Sequence, residues 1–304
     1  MQMTGTVLIL GPSGKIGTHA ARAFSAAGWT VRTYVRGTDM AAAAAGADVI
    51  VNGLNPPAYH DWARLIPAIT AQVIAAAKAS GATVIIPGNV YNFGASGGEW
   101  SERTPQRPNS RKGRIRAEME QSYARSGVRT IILRAGNFID PDHNGDVMTA
   151  FIMRDIRKGK LVHGGDPDAR QAYCYLPDWA RAAVALADMR HELATFEDVP
   201  FPGHTFTTNE LGKALALALN RPVRVAGFPW ALMRVLSPFW ELARELLEMR
   251  YLWSTSHSLS GVKFDRLLPD FRATPLNQVM LAGLPPDLGP DQPVRPGSAT
   301  VLTQ

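Results

Sequence analysis

Apolar and polar positions alternate in two rhythms through the first half of the chain. Short runs rich in β-branched residues, Thr6–Leu10, Thr30–Val35, Val49–Val51, Thr83–Ile86 and Thr130–Leu133, read as strands. Between the first two, Ile16, Ala20 and Phe24 recur every four residues, which sets them on one helix face, and Gly28 follows as a stop. A second helical stretch, about Trp62 to Ser80, stops at Gly81 in the same way. Strand and helix in alternation predict an α/β fold of parallel strands joined by crossover helices.

The rhythm changes near residue 140. Pro141-Asp142-His143-Asn144-Gly145-Asp146 is irregular, and helical patterning resumes from Val147 to Lys158. Further on, Leu232, Val235, Leu236, Phe239, Leu242, Leu246, Met249 and Trp253 fall at helical spacing, broken at Pro238, and read as a stripe packed on a core. Residues 284–304 form a Pro/Gly-rich tail.

Composition narrows the class. With 46% hydrophobic and 19% charged residues in 304, the chain can fill a core, which excludes a wholly disordered protein. The net charge of +6 favours anions such as phosphates. The basic cluster Arg107, Arg111, Lys112, Arg114 and Arg116 lacks interleaved aromatics to stack on bases, so no nucleic-acid partner is expected. A single cysteine, Cys174, forms no intrachain disulfide and fits a reducing, cytoplasmic setting. Apolar runs fall short of the ~18–20 residues needed to cross a bilayer, so no membrane partner is expected. The histidines are scattered without the spacing of a helical metal site, and no metal is expected.

Chemistry concentrates after the first strand, in Gly11-Pro12-Ser13-Gly14-Lys15-Ile16-Gly17, three glycines at spacing three opening into a helix. One glycine makes a tight turn, the next lets backbone approach a pyrophosphate, and the third permits close helix–strand packing. The helix N-terminus meanwhile offers unpaired N–H groups to phosphate. Strand before and helix after make this a dinucleotide-binding loop.

The spacing Gly-x-x-Gly-x-x-Gly resembles that of the extended and atypical short-chain dehydrogenase/reductases, the NAD-dependent epimerase/dehydratase-like family. Asp48 to Pro57, Ile85 to Gly94, Leu133 to Phe138 and Tyr173 to Ala180 are similar to further stretches of that family, over roughly residues 5 to 190. The resemblance implies a Rossmann-type doubly wound parallel sheet over residues 1–140. A smaller, mostly helical C-terminal substrate-binding part would span 141–283, interleaved with the first or separate from it. It places Asn55, Pro56, Pro87, Gly88, Asn89, Asn137 and Phe138 beside the cofactor. The family normally has an extra helix–strand–helix unit where this chain has only Gly37 to Asp48, so the adenine side is expected to be abbreviated.

The family's Tyr-x-x-x-Lys pair is not where the pattern puts it: aligned through Glu118, its positions are Ser110 and Arg114. Neither replaces a phenol as an acid. Lys112-Gly113-Arg114-Ile115-Arg116 followed by Glu120 is similar to the atypical reductases in which a lysine handles the proton, which makes Lys112 one catalytic candidate and Tyr91 the other. Arg36, ending the second strand, favours the 2′-phosphate of NADP over NAD. Asp178 is expected to cap the helix after it. The implied function is an NAD(P)-dependent oxidoreductase or epimerase/dehydratase-like enzyme on a small molecule. The alternative is a non-catalytic, NADP(H)-sensing regulatory protein. A homodimer through Rossmann helices is implied, with the Trp240–Trp253 stripe a competing surface.

Overall fold

In the computed structural model, which describes residues 5–143 and 145–288, the chain alternates strand and helix as its pattern predicts. The first half runs β1 (Thr6–Leu10), α1 (Lys15–Ala26), β2 (Thr30–Thr33), α2 (Met40–Ala44), β3 (Val49–Asn52), α3 (Trp62–Ser80), β4 (Thr83–Gly88), β5 (Gly98–Trp100), α4 (Arg111–Ser126), β6 (Thr130–Arg134) and β7 (Asn137–Ile139). The second half continues with β8 (Lys160–His163), β9 (Gln171–Tyr175), α5 (Leu176–Asp188), β10 (Phe196–Pro200), β11 (His204–Phe206), α6 (Thr208–Ala218) and β12 (Arg224–Gly227). It closes with α7 (Trp230–Leu236), α8 (Glu241–Met249), β13 (His257–Leu259), α9 (Val262–Leu267) and α10 (Leu276–Leu281). Residues 289–304 of the expected tail lie outside the described residues.

Six strands form one parallel sheet in the order β10-β6-β4-β3-β1-β2. The period-2 alternation sorts its side chains onto two faces. Val7, Ile9, Val49, Val51, Ile131 and Leu133 pack with Ile16 and Phe24 of α1 and with Trp179 of α5. Leu8, Leu10, Ile50, Val84, Ile86 and Ile132 pack with Trp62 and Ile66 of α3 and with Ile115, Met119 and Tyr123 of α4. With helices on both faces, this is a doubly wound Rossmann-type sheet.

The short interval Gly37 to Asp48 holds one short helix, α2. β2 is the sheet edge, and the chain passes through α2 alone to reach β3 on the other side of β1. The order therefore reverses at β1, and a cleft opens beyond the carboxyl ends of β1 and β3. The chain re-enters the sheet after residue 140, since α5 packs on α1 and β10 pairs with β6.

The remaining elements form a second lobe with its own core, where Met148, Ile152, Leu161, Tyr173, Phe206, Leu211 and Val279 pack together. Its sheets have two or three strands and pair residues far apart in sequence, as in His257 opposite Gly98. The helix expected over Val147–Lys158 is instead two single turns, a π-helical one at Met148–Ile152 and a 3₁₀ one at Ile156–Lys158. Met153 leaves helical backbone between them, and Gly159 ends the second in a left-handed conformation. The 232–253 stripe also departs from expectation. Met249 is buried, but Leu232, Val235 and Phe239 face outward, because Pro238 and its neighbours turn the chain between α7 and α8. Asp178 does not cap α5; it accepts from the Thr274 N–H (2.7 Å), the Thr274 hydroxyl (2.8 Å) and Arg181 (2.6 Å), and so clasps a distant segment. Among the described residues, no helix is long and apolar enough to cross a membrane.

Candidate cofactor cleft and proton-handling site

The glycine loop follows directly from β1. Gly11 takes a φ of +72°, which favours glycine, and its carbonyl accepts the Gly14 N–H at 3.0 Å to close the turn. Gly17 sits so close that a Cβ there would lie 2.1 Å from the Gly11 carbonyl oxygen. Gly14 has a different part: it is the N-cap of α1, extended, without a side-chain cap and without an acid in the first turn. The α1 amides therefore face the cleft with the positive end of the helix dipole and no resident anion. Pro12 and Ser13 complete the turn, and Thr18 donates to the Pro12 carbonyl at 3.1 Å.

Two cavities lie side by side here, one against this loop and the other beyond the segment between β3 and α3. One of about 500 Å³ is lined by Gly14, Lys15, Ile16, Asn55, Pro87, Gly88, Asn89, Tyr91, Asn137 and Phe138, so most residues expected beside the cofactor come together. The other, of about 660 Å³, is lined by Tyr34, Arg36, Thr38, Asp39, Asn55 and Pro56. Leu54, Asn55 and Pro57 border both. The single short helix between β2 and β3 thus leaves a roomy cavity walled by α2 and α3. Arg36 is exposed there, whereas the Asp39 carboxylate accepts the Ala41 and Ala42 N–H groups at 2.8 and 3.2 Å and so caps α2.

At the inner end, the Tyr91 and Tyr59 hydroxyls stand 3.2 Å apart. Tyr59 belongs to the loop between β3 and α3, where Ala58, Tyr59 and Asp61 all take positive φ values of 46 to 62°. Such backbone is strained, and it turns the Tyr59 ring inward, edge-on to Trp62. Burial, reinforced by Tyr91, raises the Tyr59 phenol well above its ordinary value of 10, so it stays a hydrogen-bond donor. Arg116 also lines the cleft, stacked on Trp62 at 4.8 Å and donating to Asn55 Oδ1 at 2.9 Å. Burial lowers its pKa, while the charges of Tyr91, Glu120 and Tyr59 work against that.

Lys112 does not line the cleft. Its ammonium sits 5.0 Å over the Tyr59 ring and is bonded to Glu245 and, at 2.5 Å, to Glu248 of α8. Burial would raise the Glu248 carboxyl, but Lys112 outweighs it and holds the group below the usual range. Ser110 spends its hydroxyl accepting the Gly113 N–H at 3.0 Å, and Arg114 faces solvent. The buried acid of α4 is Glu120, bonded to Arg134 at 2.7 and 3.0 Å, and this register turns Arg116 toward the cleft. Arg134 in turn donates to the Asn89 carbonyl at 2.7 Å and fixes the end of β4. Sequence reasoning missed Arg116 and Tyr59 as site residues. The first stands in the Lys112–Glu120 motif and was legible there, whereas nothing local marks the second.

On the far side of α1, His19, Asp140 and Asp142 bring three ligand-type atoms within 4.8 Å of one another, a group able to hold a metal ion. His19 already contacts Asp140 at 2.8 Å and Arg22 bonds Asp142, so side chains of α1 fill the group and tie down the 140–146 loop.

With this geometry established, residues 67–199 match the family model "NAD dependent epimerase/dehydratase family". The fold is Rossmann-type and is shared with solved structures of epimerases and dehydratases. MoeE5 in complex with UDP-glucose and NAD aligns over 92% of this chain and 97% of its own, at 15% identity and a TM-score of 0.73. WbmH of Bordetella bronchiseptica, in complex with NAD+, aligns over 92% and 96%, at 16% identity and 0.68. TunA, an NAD-dependent NDP-hexosamine 5,6-dehydratase of tunicamycin biosynthesis, aligns over 92% and 96%, at 16% and 0.69. No curated protein matches the sequence. Set on the epimerase/dehydratase-type fold, the glycine loop and both cavities lie at the switch point of the sheet, where ligands of open α/β folds bind.

Proposed function

We propose that the two adjoining cavities bind a nicotinamide dinucleotide and that the chain is an NAD(P)-dependent oxidoreductase or epimerase/dehydratase-like enzyme acting on a small molecule. The carrying observation is that two cavities share the wall formed by Leu54, Asn55 and Pro57, with Arg36 in one and the uncapped start of α1 and Tyr91 in the other. These residues fit the cofactor. An anion-accepting helix end stands midway, and at the adenine end stands Arg36, unpaired among the described residues, where the local carboxylate Asp39 is already engaged by backbone. That last feature favours NADP over NAD. Neighbours of the same fold are complexed with NAD and, in one, with UDP-glucose, so a nucleotide sugar is the first substrate class to try.

When bound, the dinucleotide supplies a hydride acceptor or donor. The chain itself handles the proton. In an oxidation the Tyr91 phenolate takes it from the substrate hydroxyl and becomes the phenol, and in a reduction the phenol returns it to the carbonyl oxygen and becomes the phenolate. Tyr59 donates a hydrogen bond to Tyr91, and the Arg116 charge stabilises the phenolate that forms. This replaces the Tyr-x-x-x-Lys pair. Lys112, fixed by two glutamates, positions the Tyr59 ring.

The test is incubation with NADP+ or NAD+ and UDP-glucose or other sugar nucleotides, with net oxidation read by absorbance of reduced nicotinamide and epimerisation or dehydration, which return the hydride to the sugar, read by chromatography of the sugar nucleotide. Tyr91→Phe should abolish turnover, and Tyr59→Phe should lower it about tenfold or more, both with cofactor affinity unchanged. Unchanged turnover in Tyr91→Phe would remove the assignment. Dinucleotide binding with different affinities for oxidised and reduced forms, and no turnover of any substrate, would favour the NADP(H)-sensing alternative.

A further inference from the structure

We propose that the turn joining α7 and α8 is a membrane-docking surface whose partner is an anionic phospholipid bilayer. α7 is apolar on two sides. Trp230 and Met233 turn inward onto Ala243 of α8. Leu232, Val235 and Phe239, at spacings of three and four, turn outward with 52, 71 and 92% of their surfaces exposed, and Trp240 beside them is 45% exposed. Phe239 and Trp240 stand in the turn between the two helices, where exposed aromatic side chains are placed to enter a lipid headgroup region.

The charges around this turn select its partner. Arg234 and Arg244 are exposed, and the Arg244 guanidinium donates to the Ser237 carbonyl at 3.1 Å, which fixes it next to Phe239. Among the described residues, no carboxylate lies within ion-pair distance of either arginine. Two of the three acids of α8 are taken up by the Rossmann side, Glu245 by Arg111 and Lys112 and Glu248 by Lys112, while Glu241 bonds His60 at 3.1 Å and also feels the Arg244 charge. The outward face is thus apolar and cationic. A second copy of the chain fits it poorly, because a two-fold axis would set arginine against arginine with only Glu241, already bonded to His60, to pair them. Phosphate headgroups meet the arginines while the four apolar side chains enter the boundary with the acyl chains. This mode needs no spanning helix and is separate from the cofactor cleft.

The experiment is co-flotation of the full chain with phosphatidylcholine vesicles, with and without phosphatidylglycerol, at low and high salt. The expected result is flotation only with phosphatidylglycerol, weakened by salt. Phe239→Ser should lower partitioning about tenfold or more, the cost of losing one buried aromatic. Arg234→Glu with Arg244→Glu should lower it about fivefold or more for each residue changed. These exposed positions leave the fold intact, which circular dichroism checks. Absence of flotation, or flotation insensitive to both sets of substitutions, overturns the proposal. So does concentration-dependent dimerisation that Phe239→Ser abolishes, since it assigns the patch to a second copy.

Discussion

Gly14→Asp should separate ligand binding from stability, with opposite signs. Gly14 already has the extended backbone of an N-cap but no side chain to cap the helix. An aspartate there would accept the free N–H groups of the first turn and place a negative charge at the positive end of the α1 dipole. The dipole contribution is about 0.3–1 kcal/mol, and the cap over glycine adds a few tenths. Against this, the new Cβ would stand 3.3 Å from the Gly11 carbonyl oxygen, a tight contact that the open cleft side lets the loop relieve. The apo variant should therefore melt unchanged or about 1–3 °C higher. The same carboxylate occupies the phosphate position and repels it. Wild-type protein at about 100 times the dissociation constant of its dinucleotide gains about 2.7 kcal/mol, a shift that the variant should lose. The assay is thermal unfolding by circular dichroism with and without NADPH. A variant that keeps the full ligand-induced shift would refute phosphate binding at this helix end.

Gly17→Ala should fail in the opposite way, losing about 1–3 kcal/mol even without ligand in chemical denaturation, because its Cβ meets loop backbone at 2.1 Å. Lys112→Ala should destabilise by up to about 3 kcal/mol, since it leaves Glu248 without its cation and Glu245 with Arg111 alone, and Lys112→Ala with Glu245→Gln and Glu248→Gln should recover part of that in urea titrations. Stability should fall above pH 10. Burial raises the phenols of Tyr59, Tyr123 and Tyr173, so the folded chain keeps protons that the unfolded chain releases near 10. The slope approaches about 1.4 kcal/mol per pH unit for each such tyrosine, and Tyr173→Phe should reduce it.

What could be read from the sequence was what is local. Val7 and Ile9 against Leu8 and Leu10 announce a strand with two buried faces, and α3 begins and ends at the residues its pattern and Gly81 mark. The single short helix after β2 followed from counting residues. The second lobe was not legible, because strands of three to five residues such as β5 and β13 pair across the whole chain and carry no local signal. The site shows the same limit on a smaller scale. Anchoring α4 on Glu118 or on Glu120 differs by two residues, about 200° of helix rotation. One choice faces Arg114 and Ser110 to the cleft and the other Arg116. Only the buried bond of Glu120 to Arg134 decides between them. Tyr59 depends on three residues with positive φ, which none of their side chains predicts.

The most direct measurement is a calorimetric titration of the chain with NADP+, NADPH, NAD+ and NADH, repeated with Arg36→Ala. Saturable binding with one site per chain, tighter for the phosphorylated pair and weakened for that pair alone by Arg36→Ala, is the predicted result. Binding of none of the four would contradict a dinucleotide cleft between Arg36 and Tyr91.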